Sequence, residues 1–163
     1  MERLARSVGE RLKAANALLV TAESCTGGWA AQVVTSAAGS SEWFERGFVT
    51  YSNAAKQELL GVQAETLQRH GAVSEETARE MALGALARSK GTIALAVTGV
   101  AGPGGGSPGK PVGTVCFAWA DSKGLVRSEK LQLPGDRDSV RRQSVIHALE
   151  GLLKQLDAAG SRP

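Results

Sequence analysis

The chain has 163 residues, 42% of them hydrophobic, which is material for one packed core and not for two, so a single domain over 1–163 is expected. The formal net charge of +3 comes from cations interspersed with acids, which indicates no nucleic-acid groove and suits a small anionic ligand. No stretch is apolar and long enough to cross a bilayer, and the charged N-terminus has no apolar signal core. The cysteines and histidines stand apart from any metal-ligand spacing; the expectation is a cytoplasmic protein without membrane partner, metal or cofactor.

Leu4, Val8, Leu12 and Ala15 recur at helical spacing and predict an amphipathic helix over 3–15, followed by an apolar strand "ALLVTA" at 17–22. Gly27 and Gly28 open a second helix through "WAAQVVTSA". Aromatic and β-branched content makes "GFVTYS", 47–52, a strand, with Asn53 capping the helix "AAKQELL". A short helix closes at His70 before Gly71, a natural residue just past a helix end. Ser74 with Glu75 and Glu76 caps the next helix, which runs to about Lys90. "TIALAVTG" is a continuously apolar strand, hence buried on both faces. "PVGTVCFAWA" and "LVRSEKLQL" form a hairpin through "DSKG". Asp136 caps a last helix with Val145, Leu149, Leu152 and Leu156 facing inward, and the tail "AAGSRP" frays. The order of elements implies an α/β fold, a three-layer α/β/α sandwich around a mixed, mostly parallel five-stranded sheet. The aromatic pair Trp43 and Phe44, read as exposed, points to a subunit contact and favours a homo-oligomer, a dimer first.

The glycine-rich "GVAGPGGGSPGKP" invites two misreadings. Gly104, Gly109 and Lys110 fit a Walker A spacing, but Pro111 stands where a Mg²⁺-ligating hydroxyl is needed. Gly104, Gly106 and Gly109 fit a dinucleotide fingerprint, but a strand follows where a helix dipole must receive the pyrophosphate. The stretch divides instead into a site wall, "TGVAGP", with Gly99, Ala101 and Gly102 at the substrate, and a lid or linker beyond it.

Three candidate nucleophiles stand together in "TAESCTGG", 21–28. A strand that turns into a helix here leaves helix N–H groups unpaired above the strand end, donors suited to an oxyanion. The plainer role of Ser24 or Thr26 is to cap that helix, and the plainer role of Cys25 is to pack as a small hydrophobe. "TYSNAAK" shifts the balance. A serine needs a base, and Lys56 lies in a first helical turn, where the positive dipole end lowers a lysine pKa and burial under substrate lowers it further. Otherwise Lys56 is a solvated surface charge. Tyr51 could relay a proton between Lys56 and Ser24 or pack at the sheet edge; Thr98 could offer a hydroxyl or N–H to the same spot or form a turn. His70 and His147 read as a dipole partner and a packing residue.

"AESCTGG", "GFVTYSNAAK", "VTGVAGPGGG", "KPVGTV" and "GDRDSVRRQ", in this order, resemble the CinA C-terminal domain family over essentially the whole chain. The likeness is strongest to its stand-alone nicotinamide-nucleotide amidohydrolases, or NMN deamidases. The resemblance implies metal-free hydrolysis of the carboxamide of nicotinamide mononucleotide (NMN) to nicotinate mononucleotide and ammonia, in bacterial pyridine-nucleotide recycling. It puts the nucleophile on Ser24, the lysine on Lys56, the tyrosine on Tyr51, and Thr98 beside the reacting carbonyl. Cys25, Thr26 and Gly27 then line the oxyanion side, and Arg137 and Arg142 are candidates for the substrate phosphate. Larger members carry a further N-terminal domain, whose activity is not assigned here. The competing reading is a catalytically silent nucleotide-binding or partner-binding module.

Overall fold

A computed structural model describes residues 1–161. The sheet has the order β2-β1-β3-β4-β5, built from β1 Leu19–Glu23, β2 Phe44–Val49, β3 Ile93–Gly99, β4 Thr114–Asp121 and β5 Val126–Gln132. β1 pairs in parallel with both β2 and β3, whereas β4 runs antiparallel to β3 and β5. Four strands therefore share one direction and β4 opposes them. The carboxyl ends of β2, β1 and β3 lie side by side on one rim, the place where open α/β sheets collect ligands.

Helices cover both faces, as the alternation of elements predicts. On one face lie α1 Glu2–Ala14, α2 Trp29–Thr35 and α6 Arg137–Gly160; on the other lie α3 Asn53–Leu60, α4 Ala64–His70 and α5 Glu75–Ala87. The continuous apolar runs hide an alternation of size. Ile93, Leu95 and Val97 of β3, with Val115, Phe117 and Trp119 of β4, point into the first layer. Ala94, Ala96, Cys116, Ala118 and Ala120 point into the second. Small side chains on that second face let α5 lie close to the sheet, and Gly84 of α5 meets α3: a Cβ there would stand 1.9 Å from the Leu60 carbonyl oxygen. On the first face, Trp119 donates Nε1–H to the Ala148 carbonyl at 2.8 Å, and Gly151 makes room for its indole.

Several boundaries differ from the sequence expectations, each for a local reason. β1 starts and ends slightly later than 17–22, because Leu18 N–H is drawn to the Thr92 hydroxyl before the ladder begins. β2 lies earlier than 47–52: Trp43 is 2% exposed, packed where Gly9 of α1 leaves space, and carries Phe44 into the ladder. The exposed aromatic pair that motivated a subunit contact is therefore not there. The cap of α3 is Ser52, whose Oγ accepts from Ala55 N–H at 3.0 Å, and Asn53 is the first helical residue. Ser74 and Asp136 cap α5 and α6 as expected, accepting from Thr77 and Ser139 N–H. α6 stays helical to Gly160, so the expected fraying does not reach 158–160, and 162–163 lie outside the described residues.

Candidate active site

β1 ends at Glu23, and the next residues turn through Gly27 and Gly28, both at positive φ, into α2. Glu23 is fully buried, and its carboxylate accepts from the Thr26 hydroxyl at 2.6 Å and from Ala30 and Ala31 N–H at 2.8 and 3.1 Å. The acid thus sits at the positive end of α2, where the peptide dipoles favour an acceptor. Ser24 extends the ladder by donating N–H to the Val97 carbonyl at 3.0 Å, and its own carbonyl accepts from Gly27 N–H at 3.0 Å. These restraints hold the serine on the rim between β1 and β3.

Lys56 reaches the same point from α3. Its amine lies 2.9 Å from Ser24 Oγ and donates to the Thr50 carbonyl at 2.7 Å. The residue is 1% exposed and has no carboxylate partner among the described residues, and burial lowers its pKa from 10.5 to about 8; nearby Cys25 pulls the other way. A lysine is thereby made available as a neutral base near physiological pH. Cys25 moves in the opposite direction: burial pushes its thiol up to about 12, which keeps it protonated beside the serine.

Ser24, Cys25, Tyr51, Lys56, Thr98 and Arg137 open onto a cleft of about 280 Å³, walled by Ala72 and Val73 and by 99–102 with Gly104 and Gly105. Among the described residues, no cluster of three or more histidine, cysteine, aspartate or glutamate side chains could hold a metal ion. The arrangement supplies a hydroxyl, an amine of lowered pKa in contact with it, a guanidinium at the mouth and a wall of backbone with few side chains.

The CinA C-terminal domain family matches residues 1–156. The chain belongs to that family. Nicotinamide-nucleotide amidohydrolase PncC of Escherichia coli K12 is 55% identical over 93% of this chain and 92% of its own length. The enzyme of the same name from Pseudomonas putida is 55% identical over 93% of this chain and 94% of its own. The crystal structure of competence/damage inducible protein CihA from Agrobacterium tumefaciens superposes with a TM-score of 0.93, at 47% identity over 96% of this chain and 94% of that one. As a CinA-family protein with relatives this close, the chain is an amidohydrolase.

Within this CinA-type cleft, the residues expected from the sequence divide into those that meet and those that do not. Ser24 and Lys56 touch. Tyr51 lies beyond the end of β2, is 63% exposed, and its hydroxyl accepts from Arg137 Nη2 at 3.2 Å; it bonds neither Lys56 nor Ser24. Thr98 lines the cleft but donates its hydroxyl to the Ala72 carbonyl at 2.8 Å, holding that wall. Gly99 has no room for a side chain against Val115 and Thr114, and Ala101 lines the floor. Gly102, at φ +86°, turns its carbonyl to Arg137 Nη1 at 2.7 Å. Thr26 and Gly27 stand behind the cleft wall, not on it. Arg142 is exposed and absent from the cleft, because α6 turns it outward; its neighbour Arg141 is the one that reaches the serine turn. The N–H groups of α2 expected to be free are occupied, those of Ala30 and Ala31 by Glu23 and that of Trp29 by the Thr26 carbonyl.

Three residues escaped sequence reasoning. Glu23 carried a signal: a lone acid inside an apolar run that ends a buried strand must find buried donors. Ala72 and Val73 carried none, since small apolar residues in a short loop look alike wherever they lie. The segment read as a lid or linker has contacts of its own: Ser107 and Lys110 pair as a small bridge, Lys110 Nζ donates to the His70 carbonyl, and the site wall extends to Gly105. His147 bonds Glu129 at 2.7 Å and packs on Phe117, remote from the cleft.

Proposed function

We propose that the chain hydrolyses the carboxamide of NMN to nicotinate mononucleotide and ammonia through an acyl-enzyme on Ser24. The observation that carries this reading is the 2.9 Å contact between Ser24 Oγ and the buried amine of Lys56. Neutral Lys56 takes the Ser24 proton as Oγ attacks the amide carbon, and the carbonyl oxygen becomes an oxyanion. The lysinium then gives its proton to the departing nitrogen, which leaves as ammonia. Water enters, loses a proton to Lys56 and attacks the ester carbon; Lys56 returns that proton to Ser24 as the carboxylic acid product is released and gives its own proton to solvent to become nicotinate mononucleotide. The Thr50 carbonyl aims the amine throughout by accepting one of its N–H groups. Arg137, the guanidinium at the mouth, suits the substrate phosphate, and the exposed ring of Tyr51 is placed to cover the bound nucleotide. Arg142 faces away and has no part in this mechanism.

The reaction belongs, on this reading, to pyridine-nucleotide recycling in the bacterial cytoplasm; no described helix is long and apolar enough to cross a membrane. The test is ammonia release from NMN by purified protein, with Ser24→Ala as partner. The expected result is stoichiometric ammonia and nicotinate mononucleotide from the native chain, and from Ser24→Ala binding of NMN without turnover. A native chain that binds NMN and releases no ammonia would leave a silent binding module as the answer.

A further inference from the structure

Arg137 and Arg141 stand one turn apart on α6 and serve opposite sides of the serine. Arg137 faces the cleft, whereas Arg141 lies behind it, outside the lining. The half-buried Arg141 guanidinium donates Nε–H to the Cys25 carbonyl at 3.1 Å and Nη2–H to the Thr26 carbonyl at 3.2 Å. Its carbon stands 5.4 Å from the centre of the Trp29 ring, and Gly27 lies against Nη2. One planar fork therefore grips two successive carbonyls of the turn that follows the nucleophile.

The geometry of the peptide unit gives this grip a consequence. In a trans peptide the N–H points opposite to its C=O. The Cys25 carbonyl, held by Arg141, shares its peptide unit with Thr26 N–H, which is therefore directed away from the guanidinium. The Ser24 carbonyl, held by Gly27 N–H, shares its unit with Cys25 N–H. Among the described residues neither Cys25 N–H nor Thr26 N–H meets an oxygen acceptor, while the first N–H groups of α2 are already taken. For an oxyanion at Ser24 the adjoining turn therefore offers donors that the first residues of α2 do not.

We propose that Arg141 is a positioning residue: by holding the Cys25 and Thr26 carbonyls it keeps the turn in the conformation that leaves the N–H of Cys25, the turn residue on the cleft lining, for the oxyanion, with Thr26 N–H behind it. This rests on the amidohydrolase reading above. Lysine at 141 cannot replace the fork, because an ammonium has no fixed pair of parallel donors.

Arg141→Ala and Arg141→Lys are compared with the native chain in NMN hydrolysis. The expected result is a kcat lower by on the order of 100-fold with KM moved by no more than about twofold, the pattern of a misplaced transition-state donor. Added guanidinium ion, well below denaturing concentration, restores part of the kcat of Arg141→Ala and none of Arg141→Lys, whose side chain fills the space. The second readout is the rate at which a fluorophosphonate probe labels Ser24, since its phosphoryl oxygen needs the same donors; this rate falls in parallel. Labelling at the native rate in both variants overturns the proposal, and so does a raised KM with kcat kept, which would make Arg141 a substrate ligand. Should Arg141→Ala fail to fold, Arg141→Lys decides by the same two readouts. A native chain that labels but does not hydrolyse NMN defeats the substrate assignment alone, and the labelling rates still judge Arg141.

Discussion

α2 and α3 begin just past the carboxyl ends of neighbouring strands, and they treat charge in opposite ways. At the start of α2 a buried carboxylate, Glu23, meets two helix N–H groups and a hydroxyl. At the start of α3 a neutral hydroxyl, Ser52, takes one N–H, and the charge-bearing group is Lys56, buried without an anion. An acid agrees with the helix dipole there, whereas a cation in a first turn does not. The α2 start is an anchor and the α3 start holds a base in a state that water would not give it. Rigidity and reactivity are divided between two adjacent helix ends, and the Ser24–Lys56 contact joins them.

Lys56→Met should break the contrast most strongly. Turnover of NMN falls by on the order of 10⁴-fold, as when one member of a nucleophile–base pair is removed. The same change raises the melting temperature. With a folded-state pKa of about 8 against 10.5, the unfolded chain holds the extra proton between those values, so the contribution of Lys56 to stability rises with pH across that window, while the buried thiols of Cys25 and Cys116, raised from 9.0, contribute the opposite slope above that value. Below it the full cost of burying the charge is present. Thermal melts at stepped pH should show the gap between the native chain and Lys56→Met close as the pH rises through that window.

The pH dependence of turnover is the next largest effect. Activity should climb with pH through about 8 and level off, since only the uncharged amine takes the serine proton. A profile controlled near 10.5 would return the lysine to an ordinary surface state.

Glu23→Gln probes the anchor. The amide would aim its own N–H toward the donors that the carboxylate now accepts, at a cost of about 1–3 kcal/mol in chemical unfolding. Ser52→Ala, at the neutral cap, should cost only ~1 kcal/mol by the same measurement. If the two losses prove equal, the charged anchor has no special weight.

Much of this was legible before any coordinates. The order of elements followed from periodicity and caps, and Ser24 and Lys56 stood out because a hydroxyl at a strand end needs a base. The lowered pKa of Lys56 has the expected direction, but its cause is burial, and burial depends on how α3 and α5 close over the rim. Between Ser52 and Asn53, both good caps, only the backbone path decides. Trp43 was misread because the space it fills is made by Gly9, far away in the chain. Arg141 and Arg142 are consecutive, and the packing of Val140, Ser144 and Val145 against the core fixes which of them turns toward the serine.

The alanine-lined face of the sheet has a consequence for the chemistry. α5 rests on methyl groups, and at Gly84 it touches the end of the helix that carries Lys56. Enlarging Ala94, Ala96 or Ala118 would lift α5 and with it α3, admitting solvent around the amine. A purely hydrocarbon mutation, with no polar atom gained or lost, should then be readable as a displaced acid limb in an enzyme assay.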